Sequence, residues 1–113
     1  MDDIFILEDR DDNQKRIISQ IPEELICIIA GDGCEFEKYL AKGNQARLYF
    51  LDDCVPDSSG RVGFHFIKHC ELLLKKRPDA KVFFYGSMPG KGDLEYCNEH
   101  NILIVNKNKE NIG

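Results

Sequence analysis

The chain has 113 residues, of which 42% are hydrophobic and 31% charged, and its formal net charge is −5. This size and balance predict one soluble globular domain, residues 1–113, and exclude a disordered or membrane-embedded chain. The negative net charge argues against direct binding of nucleic acid, which draws its affinity from clustered Lys and Arg.

The first ten residues and the cysteines bear on the cellular compartment. The N-terminal stretch MDDIFILEDR has acidic residues where a secretory signal needs basic ones, and no apolar run reaches transmembrane length. We therefore expect a cytoplasmic protein without membrane contact. The five cysteines are an odd number without CxxC spacing, which favours reduced thiols over a disulfide framework or a zinc site.

Short apolar runs recur along the chain and are separated by segments with helical periodicity. Runs of four to six such residues, bounded by turn residues or acids, are typical of strands buried in a parallel sheet. The predicted strands are residues 4–7, 25–30, 48–51, 82–85 and 102–105.

Two helices are predicted in the first half of the chain. The first is capped by Asp11 or Asp12 and ends before Pro22, because proline cannot continue a helix. The second has Phe36 on its apolar face and ends at Gly43, since glycine suits the left-handed position that follows many helices.

Two more helices are predicted in the second half. The third is the longest, because apolar residues recur at helical spacing from Val62 to Leu74 before Pro78. The fourth is short, residues 93–100, and follows a turn-rich loop, GSMPGKG. Strands that alternate with helices predict an open parallel α/β sheet with helices on both faces.

Acidic residues follow the first and third predicted strands. In the strand order 2-1-3-4-5 these strands are neighbours, which places Glu8 and Asp9 beside Asp52 at the carboxyl edge, where α/β sheets bind ligands. Three carboxylates in one cleft repel each other unless a hard cation binds, and Mg²⁺ suits oxygen ligands. Lys107, after the fifth strand, can reach the same cleft. The predicted site is balanced in charge and suited to an anion.

The chain resembles the receiver domain of two-component response regulators, and the resemblance covers almost its whole length. In that family an acidic pair follows strand one, and a phosphate-accepting Asp ends strand three with a Pro four residues later and a Gly eight residues later. A Lys ends strand five. The residues that carry the resemblance are Glu8, Asp9, Asp52, Pro56, Gly60 and Lys107.

The resemblance implies a CheY-like, flavodoxin-like fold and a role for each residue. Asp52 would accept a phosphoryl group from a phosphohistidine of a histidine kinase or phosphotransfer protein. Asp9, Asp52 and the backbone carbonyl of Cys54 would hold Mg²⁺, with Glu8 acting through water. Lys107 would pair with the phosphoryl group, and the first helix would be the docking surface for the donor. Such a domain is a phosphoprotein of a phosphorelay rather than an enzyme.

The chain departs from the family at several positions. Receivers carry Thr or Ser at the end of strand four, where this chain has Gly86, with Ser87 one step later as the candidate switch hydroxyl. Ile104 replaces an aromatic residue on strand five, and Asp53 replaces an apolar residue after the acceptor. These departures favour an alternative function, an atypical pseudo-receiver that acts as an interaction module without phosphorylation.

The last helix of the family is short or absent, because only six residues follow Lys107. Its loss would uncover one side of strands four and five, whose side chains alternate between the two faces of the sheet. We therefore expect a homodimer, or a complex with another protein, through the face of strands four and five.

Other candidate sites in the sequence have weaker support. The three histidines, His65, His69 and His100, are predicted to share no helix face and to serve in packing or at the surface. The residues between Gly86 and Lys91 do not match the spacing of a phosphate-binding loop. A thiol nucleophile at Cys54 has no basic helper close to it in the sequence.

Overall fold

Five strands and four helices alternate in a computed structural model of the protein, which describes residues 1–86 and 89–106. All the strands pair in parallel, in the order β2-β1-β3-β4-β5. The predicted doubly wound sheet is therefore confirmed. The elements are β1 (Asp2–Leu7), α1 (Asp11–Gln20), β2 (Cys27–Ala30), α2 (Gly33–Ala41), β3 (Ala46–Leu51), α3 (Phe66–Lys76), β4 (Val82–Gly86), α4 (Lys91–His100) and β5 (Leu103–Asn106).

Alternation of side chains along the strands divides the core into two layers. On one face the sheet packs against α2, α3 and α4, with Phe5, Tyr49 and Phe84 at the centre of that layer. On the other face it packs against α1, with Ile6 and Phe50 among the buried residues. Helices on both faces leave the carboxyl ends of the strands as the open edge of the sheet, which is where the predicted acidic residues lie.

The first helix begins differently from the prediction. Arg10 occupies the N-cap position without a side-chain cap, and both Asp11 and Asp12 lie in the first turn. The prediction that one of these acids caps the helix is wrong, although acids in the first turn still interact favourably with the positive helix end. The second helix does end as predicted, because Gly43 follows its C-cap with φ of +77°.

The third helix begins at Phe66, not at Val62 as predicted. The preceding residues are held outside the helix by backbone pairing, because Phe64 forms an antiparallel bridge with Cys54 and the His65 amide donates to the Asp53 carbonyl. Val62 is 72% exposed, so its apolar character does not mark a core-facing helix position. Helical spacing alone could not reveal that Phe64 and His65 pair with the loop after β3 instead of joining α3.

The α1 face of β4 and β5 includes Phe83, Tyr85 and Val105, which pack with Phe50. Leu103 pairs with Phe83 and therefore shares this face, yet its side chain is 67% exposed. The absence of a fifth helix was predicted for residues after Lys107, and these lie outside the described residues. Among the residues that are described, no helix is both long and apolar enough to span a membrane.

Candidate functional site

Three carboxylates meet at the carboxyl edge of the sheet. Leu7 and Leu51 are register partners on β1 and β3, so the residues that follow them, Glu8 and Asp52, leave the sheet side by side. The Asp52 amide donates to the Leu7 carbonyl at 3.1 Å, which fixes this junction. One oxygen atom from each of Glu8, Asp9 and Asp52 lies within 4.8 Å of the others. The structure thus brings together the three acids that the sequence places at this edge.

The burial of these acids decides what the cluster can bind. Glu8 is fully buried and Asp52 is 3% exposed, whereas Asp9 is exposed to solvent. Charged carboxylates this close together in a partly dry cleft repel each other, and a bound cation removes that repulsion. Hard oxygen ligands with one side open to water fit Mg²⁺, which keeps several of its waters when it binds. This donor set therefore fits the cation that the sequence predicts.

A second pair of acids lies next to Asp52. Asp53 is buried, and its carboxyl is hydrogen-bonded to that of Asp93 in the first turn of α4. Burial, and then the hydrogen bond with Asp93, raise the pKa of Asp53 to about 7. The two carboxyls bring the loop after β3 and the start of α4 into contact. The sequence marked Asp53 only as a departure from the family pattern.

The loop after Asp52 is organised around the buried carboxylate of Asp57. Its Oδ1 accepts from the amides of Ser59 and Arg61, both at 3.0 Å, and from the Ser59 hydroxyl at 2.6 Å. Its Oδ2 accepts from the Lys68 ammonium at 3.0 Å. The Ser59 hydroxyl and then Lys68 hold the pKa of Asp57 well below its usual range. Gly60, with φ of +85°, closes the turn.

The first residue of α2 packs against the same loop. The Gly33 amide donates to the Pro56 carbonyl at 2.7 Å. A Cβ added at Gly33 would lie 2.8 Å from the Ser58 amide nitrogen and 2.8 Å from Nε2 of His69. Contact this close is possible only because glycine has no side chain. Helix α2 therefore supports the loop that follows Asp52.

His65 and His69 lie one helical turn apart with ring centroids 6.1 Å apart, so the prediction that the histidines share no face is wrong for this pair. His69 is fully buried against the edge of Phe36, and neither ring nitrogen has a hydrogen-bond partner among the described residues. Burial, with a smaller contribution from the neighbouring His65, lowers the pKa of His69 to about 4. The ring is uncharged at neutral pH and serves in packing, as the sequence predicts.

This burial gives the stability of the fold a defined pH dependence. An unfolded histidine takes up a proton at about pH 6.5. His69 in the folded protein does so only near pH 4, so the unfolded state binds more protons between these two values. Lowering the pH from 6.5 to 4.5 is therefore expected to cost about 2 kcal/mol of unfolding free energy through His69. Urea unfolding of wild type and His69→Met at both pH values measures this difference, and parallel pH profiles would contradict it.

The end of β4 differs from the site that the family resemblance implies. Gly86 pairs with Asn106 as the last residue of β4, and a Cβ at this position would lie 2.6 Å from Cε1 of Phe84. Phe84 is fully buried with its ring against Phe66, so it cannot easily move aside. A larger residue at Gly86 would therefore disturb the core. The candidate hydroxyl of Ser87 and the amine of Lys107 lie outside the described residues.

Some features of this edge were not found from the sequence. The pairing of Asp53 with Asp93 and the contact at Gly33 join residues that are far apart in the sequence, and Asp57 bonds both within its own loop and to Lys68 of α3. Only the Asp57 bonds leave a local signal in the sequence, because Ser59, two residues after Asp57, is typical of an Asx turn. The side chain of Cys54 is exposed, and none of the five cysteines forms a disulfide.

Comparison with known proteins identifies the fold. Neither the protein-family models nor the curated proteins include a match to the chain. Solved structures do match. The signal receiver domain of an HD domain-containing protein from Pseudomonas fluorescens has a TM-score of 0.77 at 14% identity, over 96% of this chain and 77% of that chain.

Two further matches are response regulator proteins. RcsB from Salmonella typhimurium has a TM-score of 0.73 at 16% identity, over 96% of this chain, which spans 55% of the RcsB chain. A response regulator receiver protein from Pseudoalteromonas atlantica has a TM-score of 0.65 at 10% identity, over 89% of this chain and 80% of that chain. The protein therefore has the CheY-like receiver fold, as its resemblance to that family implies.

Proposed function

We propose that this protein is a signal receiver that accepts a phosphoryl group on Asp52 from the phosphohistidine of a histidine kinase or phosphotransfer protein. The observation that supports the proposal most is the meeting of the Glu8, Asp9 and Asp52 carboxylates at the open edge of a receiver fold. The protein would act in the cytoplasm as the phosphoprotein of a two-component phosphorelay. It would make no direct contact with nucleic acid or membrane and would turn over no external substrate.

In the proposed reaction a carboxylate oxygen of Asp52 attacks the phosphorus of the phosphohistidine. A phosphorus–oxygen bond forms, and the phosphorus–nitrogen bond breaks with its electron pair left on the imidazole nitrogen. The Asp53 amide donates to Oδ1 of Asp52 at 2.7 Å and so holds the carboxylate in one orientation. The packing of β3 between β1 and β4 gives the acceptor a rigid base.

The same carboxylates would hold Mg²⁺, with Asp9 and Asp52 as direct ligands, the Cys54 carbonyl as a third and Glu8 acting through water. When bound, the ion would offset negative charge on the acceptor and on the arriving phosphoryl group. Lys107 would pair with the transferred group, and Ser87 is the proposed switch hydroxyl. The roles of Cys54, Ser87 and Lys107 rest on the family resemblance.

A second candidate function is supported by the end of β4. Gly86 stands where receivers have Thr or Ser, and the ring of Phe84 occupies the space beside it. A chain without that hydroxyl could serve as a pseudo-receiver, binding its partners without phosphorylation. The two candidates differ in whether Asp52 ever responds to a phosphoryl group.

We also propose that the α1 face of β4 and β5 binds a second copy of the chain or another protein. Leu103 on this face is 67% exposed, and its neighbour Phe83 is half-buried. Sedimentation velocity over a concentration series is expected to show a dimer that the Leu103→Glu variant lacks. Identical sedimentation of the two proteins as monomers would contradict a homodimer.

Beryllofluoride, which mimics a phosphoryl group on aspartate, tests the proposed function directly. Mg²⁺-dependent binding at Asp52 would support the phosphoryl-accepting receiver. A folded protein that does not bind it would favour the pseudo-receiver.

A further inference from the structure

Two apolar side chains project into solvent from the segment between the Asp57 loop and α3. Phe64 is 81% exposed and Val62 is 72% exposed, and they lie two residues apart in the segment that precedes α3. Single exposed apolar residues are common on protein surfaces, but two of them so close together on a loop next to a candidate site indicate a contact surface. We call residues 62–64 the Phe64 tip.

The Phe64 tip is held in place at both ends. Before it, Arg61 donates its amide to the Asp57 carboxylate and accepts at its carbonyl from the Asp57 amide, both at 3.0 Å. After it, the His65 amide donates to the Asp53 carbonyl at 2.9 Å. Phe64 itself pairs with Cys54. Because its backbone is already held, the segment loses little backbone conformational entropy when a partner covers Phe64.

The pairing with Cys54 also fixes where the tip lies. Cys54 is two residues after the phosphoryl acceptor Asp52, so whatever contacts Phe64 is brought to the mouth of the acidic cleft. The carboxylates of that cleft repel the phosphoryl group of a donor. Contact with an uncharged apolar tip adds binding free energy that does not depend on charge.

We propose that the Phe64 tip is the apolar anchor for the protein that donates the phosphoryl group, with Phe64 packing against apolar side chains that flank the donor's phosphohistidine. The proposal rests on the proposed function of Asp52. A small phosphodonor has no apolar surface with which to cover Phe64, so the feature fits a protein donor. The phosphorus–oxygen bond to Asp52 still forms as the phosphorus–nitrogen bond to imidazole breaks.

The test compares two classes of donor in the Phe64→Ser variant. The protein donors are purified histidine phosphotransfer domains, each phosphorylated with phosphoramidate, and the small donor is acetyl phosphate. Phe64→Ser is expected to lower the rate of transfer from the protein donor that wild type uses best by roughly tenfold or more. Its modification by acetyl phosphate and its Mg²⁺-dependent binding of beryllofluoride are expected to match wild type.

The matched control is Ile26→Ser. Ile26 is 54% exposed and lies just before β2, at the opposite end of the sheet from Asp52, so its loss is expected to leave transfer unchanged. Equal transfer to wild type and Phe64→Ser would overturn the proposal. Modification by acetyl phosphate with no transfer from any protein donor would also overturn it.

Two other outcomes are informative. A wild-type dimer that Phe64→Ser converts to a monomer, with transfer unchanged, would overturn the proposal and assign the tip to contact between copies of the chain. Failure of the wild type to bind beryllofluoride with Mg²⁺ would refute the proposed function itself, and the proposal about the tip with it. The beryllofluoride result thus distinguishes the two failures.

Discussion

The Gly33→Ala variant is expected to lose about 3 kcal/mol of unfolding free energy, the upper range for inserting a methyl group into a packed site. The added Cβ would lie 2.8 Å from the Ser58 amide nitrogen and 2.9 Å from the carbonyl carbon of Asp57. These are backbone atoms of a loop that the Asp57 hydrogen bonds hold rigid, so they cannot move aside at little cost. Urea denaturation at neutral pH measures the loss.

A second glycine provides the matched control. Gly92 lies in α4, and apart from the helix's own backbone and its chain neighbours nothing lies within 4 Å of an added Cβ, so Gly92→Ala is expected to keep or slightly raise the unfolding free energy. Because Gly33 supports the loop after Asp52, its substitution should also perturb the amides of that loop in NMR spectra. Equal stability of the two alanine variants would show that α2 does not press on this loop as described.

The sheet could be predicted from the sequence because burial on both faces leaves a strong local signal. Each strand of a doubly wound sheet needs a continuous apolar run, and such runs stand out between polar segments. The carboxylates at Glu8, Asp9 and Asp52 could be placed together for the same reason, since strands one and three are neighbours in this topology. The apolar runs do not give the strand order, which comes from the known topology of doubly wound folds.

The start of α3 and the pairing of Asp53 with Asp93 could not be predicted, because the forces that set them act between distant residues. Val62 fits a helical pattern, yet pairing of Phe64 with Cys54 keeps the segment out of the helix. Likewise, burial and then Asp93, which lies forty positions further along the chain, raise the pKa of Asp53. Local periodicity contains no information about either contact.

Beryllofluoride binding with Mg²⁺, followed by NMR of the backbone amides around Asp52, is the most direct test of the central claim. We expect saturable shifts at Asp52 and Asp53 that require Mg²⁺, because under the proposal the carboxylate cluster would hold the ion and the ion would offset its negative charge. Asp52→Asn is expected to abolish the response, since it removes the oxygen to which beryllium binds.

The proposed metal site is tested in the same titration with Asp9→Asn, which removes one proposed carboxylate ligand but leaves Asp52 intact. Its apparent Mg²⁺ affinity is expected to fall roughly tenfold or more. The control is Glu23→Gln, which neutralises an exposed acid beyond α1 and should respond like wild type. Mg²⁺-dependent shifts that are lost in Asp52→Asn and weakened in Asp9→Asn are the predicted result; a folded wild-type protein whose amides near Asp52 do not respond would contradict the proposed phosphoryl-accepting site.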